Sequence, residues 1–122
     1  MGVDPKAVPT KKLYNGDEIP CIGMGTFGSD RVGVDEVSEA VYTGIKDGYR
    51  MIDCAACYGN EDKIGVEIEK VLQEGIVARK DLYIMSKVWN DMHGKGDVLV
   101  AAAKSLRDLR LDYLDMYFVH WP

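Results

Sequence analysis

Apolar residues along this chain fall into two alternating patterns. Short and mostly apolar runs predict strands that are buried on both faces, and between them apolar residues recur every three or four positions, which predicts amphipathic helices. This alternation predicts βα units and a parallel sheet. The four strand-like runs are residues 20–23, 49–53, 82–85 and 113–119.

Three stretches have the spacing of amphipathic helices. Gly48 follows the first stretch and Gly75 the second, and glycine at these positions favours helix termination. The second helix is predicted to begin near Asn60. The predicted apolar stripes are Val37, Ala40, Val41, Gly44 and Ile45, then Ile64, Ile68, Val71 and Leu72, then Leu99, Ala102, Ala103 and Leu106.

Polar residues stand where the strand-like runs end. Thr26 follows the first run, Asp53 ends the second with Tyr58 just beyond it, Lys87 follows the third and His120 the fourth. An ionisable group at the end of a buried strand is costly to desolvate, so a chemical role must be considered. The carboxyl ends of parallel strands meet on one face, so these side chains are predicted to converge there.

Two architectures fit this order of elements, an open doubly wound sheet and a (β/α)8 barrel. Gly23, Gly25 and Gly28 have the G-x-G-x-x-G spacing of a dinucleotide fingerprint, and Asp53 ends the next strand as its ribose partner would. That fingerprint should open directly into a helix, whereas residues 29–33 separate the glycines from the first predicted helix. The fingerprint stays an alternative, and the barrel gives the better account because its active sites lie at strand carboxyl ends.

Composition excludes several classes of protein. The chain has 122 residues, of which 47% are hydrophobic and 29% charged, and these are ordinary globular values. A net charge of −5 without basic clusters argues against a nucleic-acid partner. We expect no membrane span, because no run of ~18 apolar residues occurs, and no secretory signal, because residues 1–12 lack an apolar core.

The three cysteines are predicted to be reduced thiols. An odd count without a secretory signal favours a cytoplasmic protein. Cys54 and Cys57 have C-x-x-C spacing, but a zinc site needs further ligands at comparable spacing and a redox pair needs a helix N-terminus at its first cysteine. We therefore expect no metal site, and we interpret both cysteines as small residues at a strand end.

The polar strand ends suit proton delivery to a developing oxyanion. A free phenol has a pKa near ~10, and a nearby ammonium in a pocket of low dielectric lowers such a pKa. Lys87 would supply that ammonium to Tyr58, and Asp53 would keep Lys87 charged. His120 could orient a substrate oxygen. A carbonyl reduction at such a site would need an external hydride, which implies a nicotinamide cofactor.

Each of these residues also has an ordinary structural interpretation. Asp53 could cap the following turn, Lys87 could be a solvated loop residue, and His120 could be a hydrogen-bonded core histidine. Their joint placement favours the chemical interpretation.

Five segments of the chain resemble the motifs of the aldo-keto reductase family. They are GMGTF at 23–27, GYRMIDCAACYGNEDKIG at 48–65, SKVW at 86–89, SLRDLRLDYLD at 105–115 and VHWP at 119–122. The resemblance covers nearly the whole chain from about residue 13. It implies a catalytic tetrad of Asp53, Tyr58, Lys87 and His120, in which Tyr58 is the general acid and His120 orients the carbonyl.

The resemblance also implies NADPH as cofactor and an aldehyde or ketone as small-molecule substrate. The matching cofactor positions are Gly25, Thr26, Phe27 and Asp53. The matching substrate-pocket positions are Phe27, Cys57, Trp89, His120 and Trp121. Phe27 stands where many relatives carry tryptophan, and Met51 where many carry histidine. Core packing remains an alternative interpretation of Trp89 and Trp121.

The length of the chain limits the fold prediction. A complete (β/α)8 barrel typically needs ~250 residues, so residues 1–122 are predicted to be its N-terminal half, with four parallel strands after a short N-terminal segment. The remaining half of the same barrel is then the expected partner, and an isolated 122-residue chain is expected to be inactive. A second possibility is a reductase-like accessory or structural protein that binds NADP(H) with little turnover.

Overall fold

The computed structural model describes residues 3–122. This part of the chain contains six β-strands and three α-helices, with short 3-10 turns between them. No helix in this part of the chain is long and apolar enough to cross a membrane. In chain order the elements are β1 (Thr10–Lys12), β2 (Glu18–Pro20), β3 (Gly23–Gly25), α1 (Val34–Asp47), β4 (Met51–Asp53), α2 (Glu61–Gln73), β5 (Tyr83–Val88), α3 (Asp97–Leu109) and β6 (Met116–Val119).

The central sheet is parallel, and its strand order β3-β4-β5-β6 follows the sequence. Gly25 pairs with Asp53, Asp53 with Met85, and Lys87 with Phe118. The predicted βα alternation is therefore confirmed. A dinucleotide-binding sheet would reverse its strand order at a switch point, and the described strands show no such reversal. Helix α1 begins only at Val34, so the glycines at 23, 25 and 28 do not open a helix.

The predicted strand at 20–23 is wrong. Pro20 ends β2, which forms an antiparallel hairpin with β1, and Gly23 begins β3. Between them Cys21 and Ile22 are exposed, and 58% of the surface of Ile22 is accessible. Residues 20–23 thus connect the β1–β2 hairpin to the parallel sheet. The apolar pattern does not show that one sheet ends and another begins within this run.

The other strands agree with the sequence except at their ends. The strand predicted at 49–53 begins only at Met51, and the one predicted at 113–119 begins at Met116. The strand predicted at 82–85 runs from Tyr83 to Val88, so Lys87 lies inside β5 rather than after it. The apolar pattern ends at Met85 because Ser86 and Lys87 are polar. The strand nevertheless continues through them, and Ser86 is fully buried.

Helices α1 and α2 pack as predicted, with one exception. Gly48, at φ 117°, ends α1, and Gly75, at φ 69°, follows α2. Ala40 was predicted to be in the apolar stripe of α1 but is exposed. Together with β4 and β5 the two helices enclose the core. Its fully buried members include Val41, Ile45, Ile52, Ile64, Ile68, Val71, Ile84 and Leu109.

The predicted stripe of α3 is only partly buried within the described residues, where Ala102 and Leu106 are half-buried. Leu99 has 76% of its surface exposed and Ala103 is also exposed, whereas the buried residues of α3 are Ala101, Ser105 and Leu109. Helix α3 lies close to α2 at Gly65, where an added side-chain carbon would collide with the Asp108 carbonyl oxygen. The face of α3 buried in the described residues is therefore the one that contacts α2.

Arg50 attaches the N-terminal segment to the start of β4. Its guanidinium is buried and donates hydrogen bonds to the carbonyl oxygens of Ile45, Tyr49 and Val3, at 2.8, 2.9 and 2.7 Å. This end of the sheet is opposite to the one at which Asp53 and Lys87 lie. The N-terminal segment therefore leaves the carboxyl ends of the strands accessible.

Candidate active site

The structure brings the polar strand-end residues together at the carboxyl edge of the sheet. Side chains two residues apart on a strand share a face. Lys87 lies two residues after Met85, the partner of Asp53, and His120 lies two residues after Phe118, the partner of Lys87. The register therefore directs Asp53, Lys87 and His120 to one face, as the sequence predicts.

Lys87 and Asp53 form the central contact of the site. The Lys87 Nζ donates to Asp53 Oδ1 at 2.6 Å and to the Cys54 carbonyl oxygen at 2.8 Å. The Lys87 side chain is 14% exposed and that of Asp53 is 39% exposed. Burial by itself lowers the pKa of Lys87, but the hydrogen bonds and charges of Asp53 and Tyr58 outweigh it, so the net pKa of Lys87 is raised. Lys87 is therefore held as a cation.

Tyr58 lies against this cation. Its hydroxyl oxygen is 3.4 Å from Lys87 Nζ, and its ring centroid is 5.0 Å from the same atom. The short turn Ala56–Tyr58 carries it, and Gly59 follows at φ 67°, a backbone conformation that favours glycine. The turn thus presents the phenol to the ammonium without lengthening β4.

Aromatic rings surround Tyr58 and His120. The Phe27 ring lies 5.1 Å from that of Tyr58, and the Tyr58 ring lies 5.8 Å from that of His120. Trp89 meets His120 edge-on at 5.2 Å, and Trp121 lies parallel to it at 6.2 Å. Phe27 and Trp121 keep 67% and 58% of their surface exposed within the described part of the chain.

Thr26 joins the first loop to β4. Its buried hydroxyl donates to the Asp53 carbonyl oxygen at 2.8 Å, and its own carbonyl oxygen accepts from Asn60 Nδ2 at 2.8 Å. The sequence pattern indicates Asn60 only as a helix start and gives no sign of this contact. The only sign in the sequence that the Asn60 side chain has a role near Tyr58 is its place inside the motif at 48–65.

Glu61 was also missed, and it connects three elements behind the site. Its carboxylate accepts from Ser86 Oγ at 2.7 Å and from Ser105 Oγ at 2.8 Å, and all three residues are buried. Ser86 precedes Lys87 and points to the opposite face of β5, while Glu61 begins α2 just after the Tyr58 turn. Burial raises the pKa of Glu61, although the two serine hydroxyls lower it in part.

The two cysteines of the C-x-x-C spacing lie in different surroundings. Cys54 is fully buried and Cys57 is exposed, and both are free thiols. Burial strongly raises the pKa of Cys54, which disfavours the thiolate that redox exchange or metal binding requires. Within residues 3–122, no group of three or more potential ligands is placed to hold a metal ion.

The fold and this site define a class of protein, the parallel βα folds with polar groups at the strand carboxyl ends. A family model described as "Aldo/keto reductase family" matches residues 21–122. The chain belongs to the aldo/keto reductase family, and the predicted resemblance is confirmed.

Named relatives agree with this assignment. The chain is 46% identical over 110 residues to an NAD(P)H-dependent D-xylose reductase of Pachysolen tannophilus, covering 90% of this chain and 33% of that protein. It is 48% identical over 113 residues to a glyoxal reductase of Bacillus subtilis, covering 93% and 39%. The chain therefore spans between a third and two fifths of the length of these relatives.

A solved structure gives the same result. The crystal structure of a Bombyx mori aldo-keto reductase in complex with NADP superposes with a TM-score of 0.89 at 39% identity, over 94% of this chain and 38% of that one. The four parallel strands and their helices are thus part of a (β/α)8 barrel, as predicted. The roles of the individual site residues remain predictions.

Titration of Glu61 should be visible in the stability of the protein. A raised pKa means that the folded state binds the proton more tightly than the unfolded state, whose carboxyl has a pKa near ~4.3. The contribution of Glu61 to the free energy of unfolding is therefore most favourable below that pH and falls as pH rises toward the folded-state pKa. Glu61→Gln removes this dependence.

Urea unfolding of the wild type and of Glu61→Gln from pH 4 to pH 7 measures the effect. We expect Glu61→Gln to gain stability relative to the wild type as pH rises. Glu39→Gln, at an exposed position of α1, is the control with the same charge change and should follow the wild type. Parallel pH profiles for Glu61→Gln and the wild type would contradict a raised pKa of Glu61.

Proposed function

We propose that the complete protein reduces an aldehyde or ketone to an alcohol with NADPH, and that Tyr58 is the general acid. The observation that carries the proposal is the position of Lys87 Nζ, which lies 2.6 Å from Asp53 Oδ1 and 3.4 Å from the Tyr58 hydroxyl. The Lys87 ammonium can stabilise the phenolate that forms when Tyr58 transfers its proton, and the Asp53 carboxylate keeps Lys87 charged. The three groups together form a proton donor.

In the proposed reaction, the carbonyl group gains a hydride at its carbon and a proton at its oxygen. NADPH, when bound, supplies the hydride that adds to the carbonyl carbon. The carbonyl π electrons move to the oxygen, which takes the proton of the Tyr58 hydroxyl to give the alcohol. The phenolate that remains is stabilised by the Lys87 ammonium until solvent restores its proton. His120 donates a hydrogen bond to the carbonyl oxygen and thereby orients it.

The residues at the mouth of the site suit a flat cofactor. Gly25 ends β3 beside Asp53, and a side-chain carbon at Gly25 would meet no atom within 4 Å, so open space adjoins its backbone. Phe27 presents an exposed ring 5.1 Å from that of Tyr58. We propose that Gly25, Thr26, Phe27 and Asp53 hold the nicotinamide end of NADPH.

A carbonyl substrate suits the aromatic surroundings of His120. Phe27, Trp89 and Trp121 provide apolar walls, and Cys57 adds a small side chain next to His120. Walls of this kind with few polar groups are typical of small-molecule pockets. The names of the xylose and glyoxal reductases among the relatives support a carbonyl substrate for this chain as well.

We further propose that residues 1–122 are the N-terminal half of this barrel. Among the described strands, β6 pairs only with β5, so its other edge is open. Large apolar side chains are exposed on β6 and on α3, which is unusual for a free surface. They include Leu99, Val100, Phe118 and Val119. The remaining strands and helices of a longer chain would cover them.

Replacement of the Tyr58 hydroxyl tests the proposed acid. In the full-length protein, Tyr58→Phe should lower the rate of carbonyl reduction by about 10²–10⁴-fold, the usual contribution of a general acid, and should leave NADPH affinity nearly unchanged. NADPH oxidation with a panel of aldehydes measures the rate, and quenching of protein fluorescence measures cofactor binding.

Tyr14→Phe is the control for this substitution, because Tyr14 is fully exposed, and it should retain the wild-type rate. A Tyr58→Phe variant as active as the wild type would remove Tyr58 from the acid role. Cofactor binding without turnover in the wild type would instead favour an accessory protein that binds NADP(H).

The length of the natural protein tests the proposed half barrel. We expect an intact mass well above the 13.6 kDa of the 122 residues, and we expect a recombinant product of residues 1–122 to show no NADPH-dependent turnover. A natural product of 13.6 kDa, or reductase activity from the verified 122-residue product, would contradict this proposal.

A further inference from the structure

The contact between Cys57 and His120 is not used by the proton-transfer chemistry above. Cys57 Sγ lies 3.6 Å from His120 Nδ1, within the range of a hydrogen bond to sulfur. Cys57 directly precedes Tyr58 in the turn Ala56–Tyr58, whereas His120 follows β6. The contact therefore joins the element that carries the proposed acid to the residue that orients the carbonyl.

The direction of this hydrogen bond depends on which of the two groups carries the shared proton. A neutral thiol is a weak donor, and a neutral imidazole has one protonated nitrogen and one that accepts. Local desolvation of the sulfur raises the pKa of Cys57, although Lys87 lowers it in part, so the thiol keeps its proton at neutral pH. A thiol that keeps its proton can donate to His120 Nδ1, and the ring proton then lies on Nε2.

We propose that Cys57 is a positioning residue that fixes the tautomer of His120, so that Nε2–H donates to the substrate carbonyl oxygen. The proposal rests on the proposed function, since the tautomer matters only if His120 orients a carbonyl. A bare Nε2 would meet the carbonyl oxygen as acceptor against acceptor and would repel it. Cys57 thus acts on the reaction through His120 and need not touch the reacting atoms.

The aromatic rings around His120 fix the orientation of the imidazole but not its tautomer. Trp89 and Tyr58 meet the imidazole edge-on, both with interplanar angles of 83°, and Trp121 lies parallel to it with an angle of 6°. These contacts restrict the plane of the ring but do not decide which nitrogen carries the proton. A hydrogen bond to one nitrogen sets the state of the other, and Cys57 makes that bond.

Nitrogen NMR of the full-length protein labelled with [15N]histidine measures the tautomer without turnover. The signals of His120 are assigned by their loss in His120→Gln. At a pH where the ring is neutral, we expect mainly Nε2–H in the wild type and in Cys57→Ser, whose hydroxyl is also a donor. In Cys57→Ala and Cys57→Val the ratio of Nε2–H to Nδ1–H should fall about three- to tenfold, as expected for loss of one hydrogen bond.

Kinetics complete the test with the same variants. We expect kcat/KM for an aldehyde to fall at least about threefold in Cys57→Ala and Cys57→Val, to recover in Cys57→Ser, and to leave the Kd for NADPH unchanged. Cys21→Ala removes an exposed thiol outside the site and should match the wild type in both measurements.

Each contrary result has a separate meaning. A wild-type ring in the Nδ1–H form, or an unchanged tautomer ratio in Cys57→Ala, would overturn the role of Cys57. Full activity of Cys57→Ala despite a changed ratio would overturn its effect on the reaction. The expected tautomer shift in a protein that reduces no carbonyl would support the contact between Cys57 and His120 and would count against the proposed function.

Discussion

The ion pair between Lys87 and Asp53 is the interaction on which the rest of the site depends. It joins neighbouring parallel strands, because Asp53 ends β4 and Lys87 lies near the end of β5. Partial burial makes each charge costly without the other, so loss of either partner leaves an unpaired ion. The pair therefore fixes the strand ends and at the same time holds a cation against the Tyr58 hydroxyl.

Two sets of contacts support this pair. At the end of β4, Thr26 donates to the Asp53 carbonyl oxygen and accepts from Asn60, which connects the first loop to β4 and to the residues after the Tyr58 turn. On the helix face, Glu61 binds Ser86 and Ser105 and so ties β5 to α2 and α3. The alternation of side chains along a strand places Ser86 and Lys87 on different faces, so this second set lies on the face of β5 opposite to Lys87.

Sequence patterns predicted the parallel βα order and the convergence of Asp53, Tyr58, Lys87 and His120, because apolar runs and their polar ends are local signals. They failed where burial depends on distant partners. Within the described residues, Ala101, Ser105 and Leu109 form the buried face of α3, where α2 approaches closely at Gly65, and Leu99 lies on the exposed face that the proposed remainder of the barrel would cover. Glu61 and Asn60 were missed because polar residues give no sign of burial until their hydrogen-bonding partners are known.

The most direct test of the account is a double-mutant cycle of Asp53→Asn and Lys87→Met on the single-turnover rate of carbonyl reduction by the full-length protein. If the ion pair and Tyr58 act as one proton donor, each single variant should lose about 10²-fold or more, and the double variant should be little worse than the poorer single variant. Losses that multiply, or a Lys87→Met variant that turns over like the wild type, would contradict the claim that Lys87, held by Asp53, supports the acid.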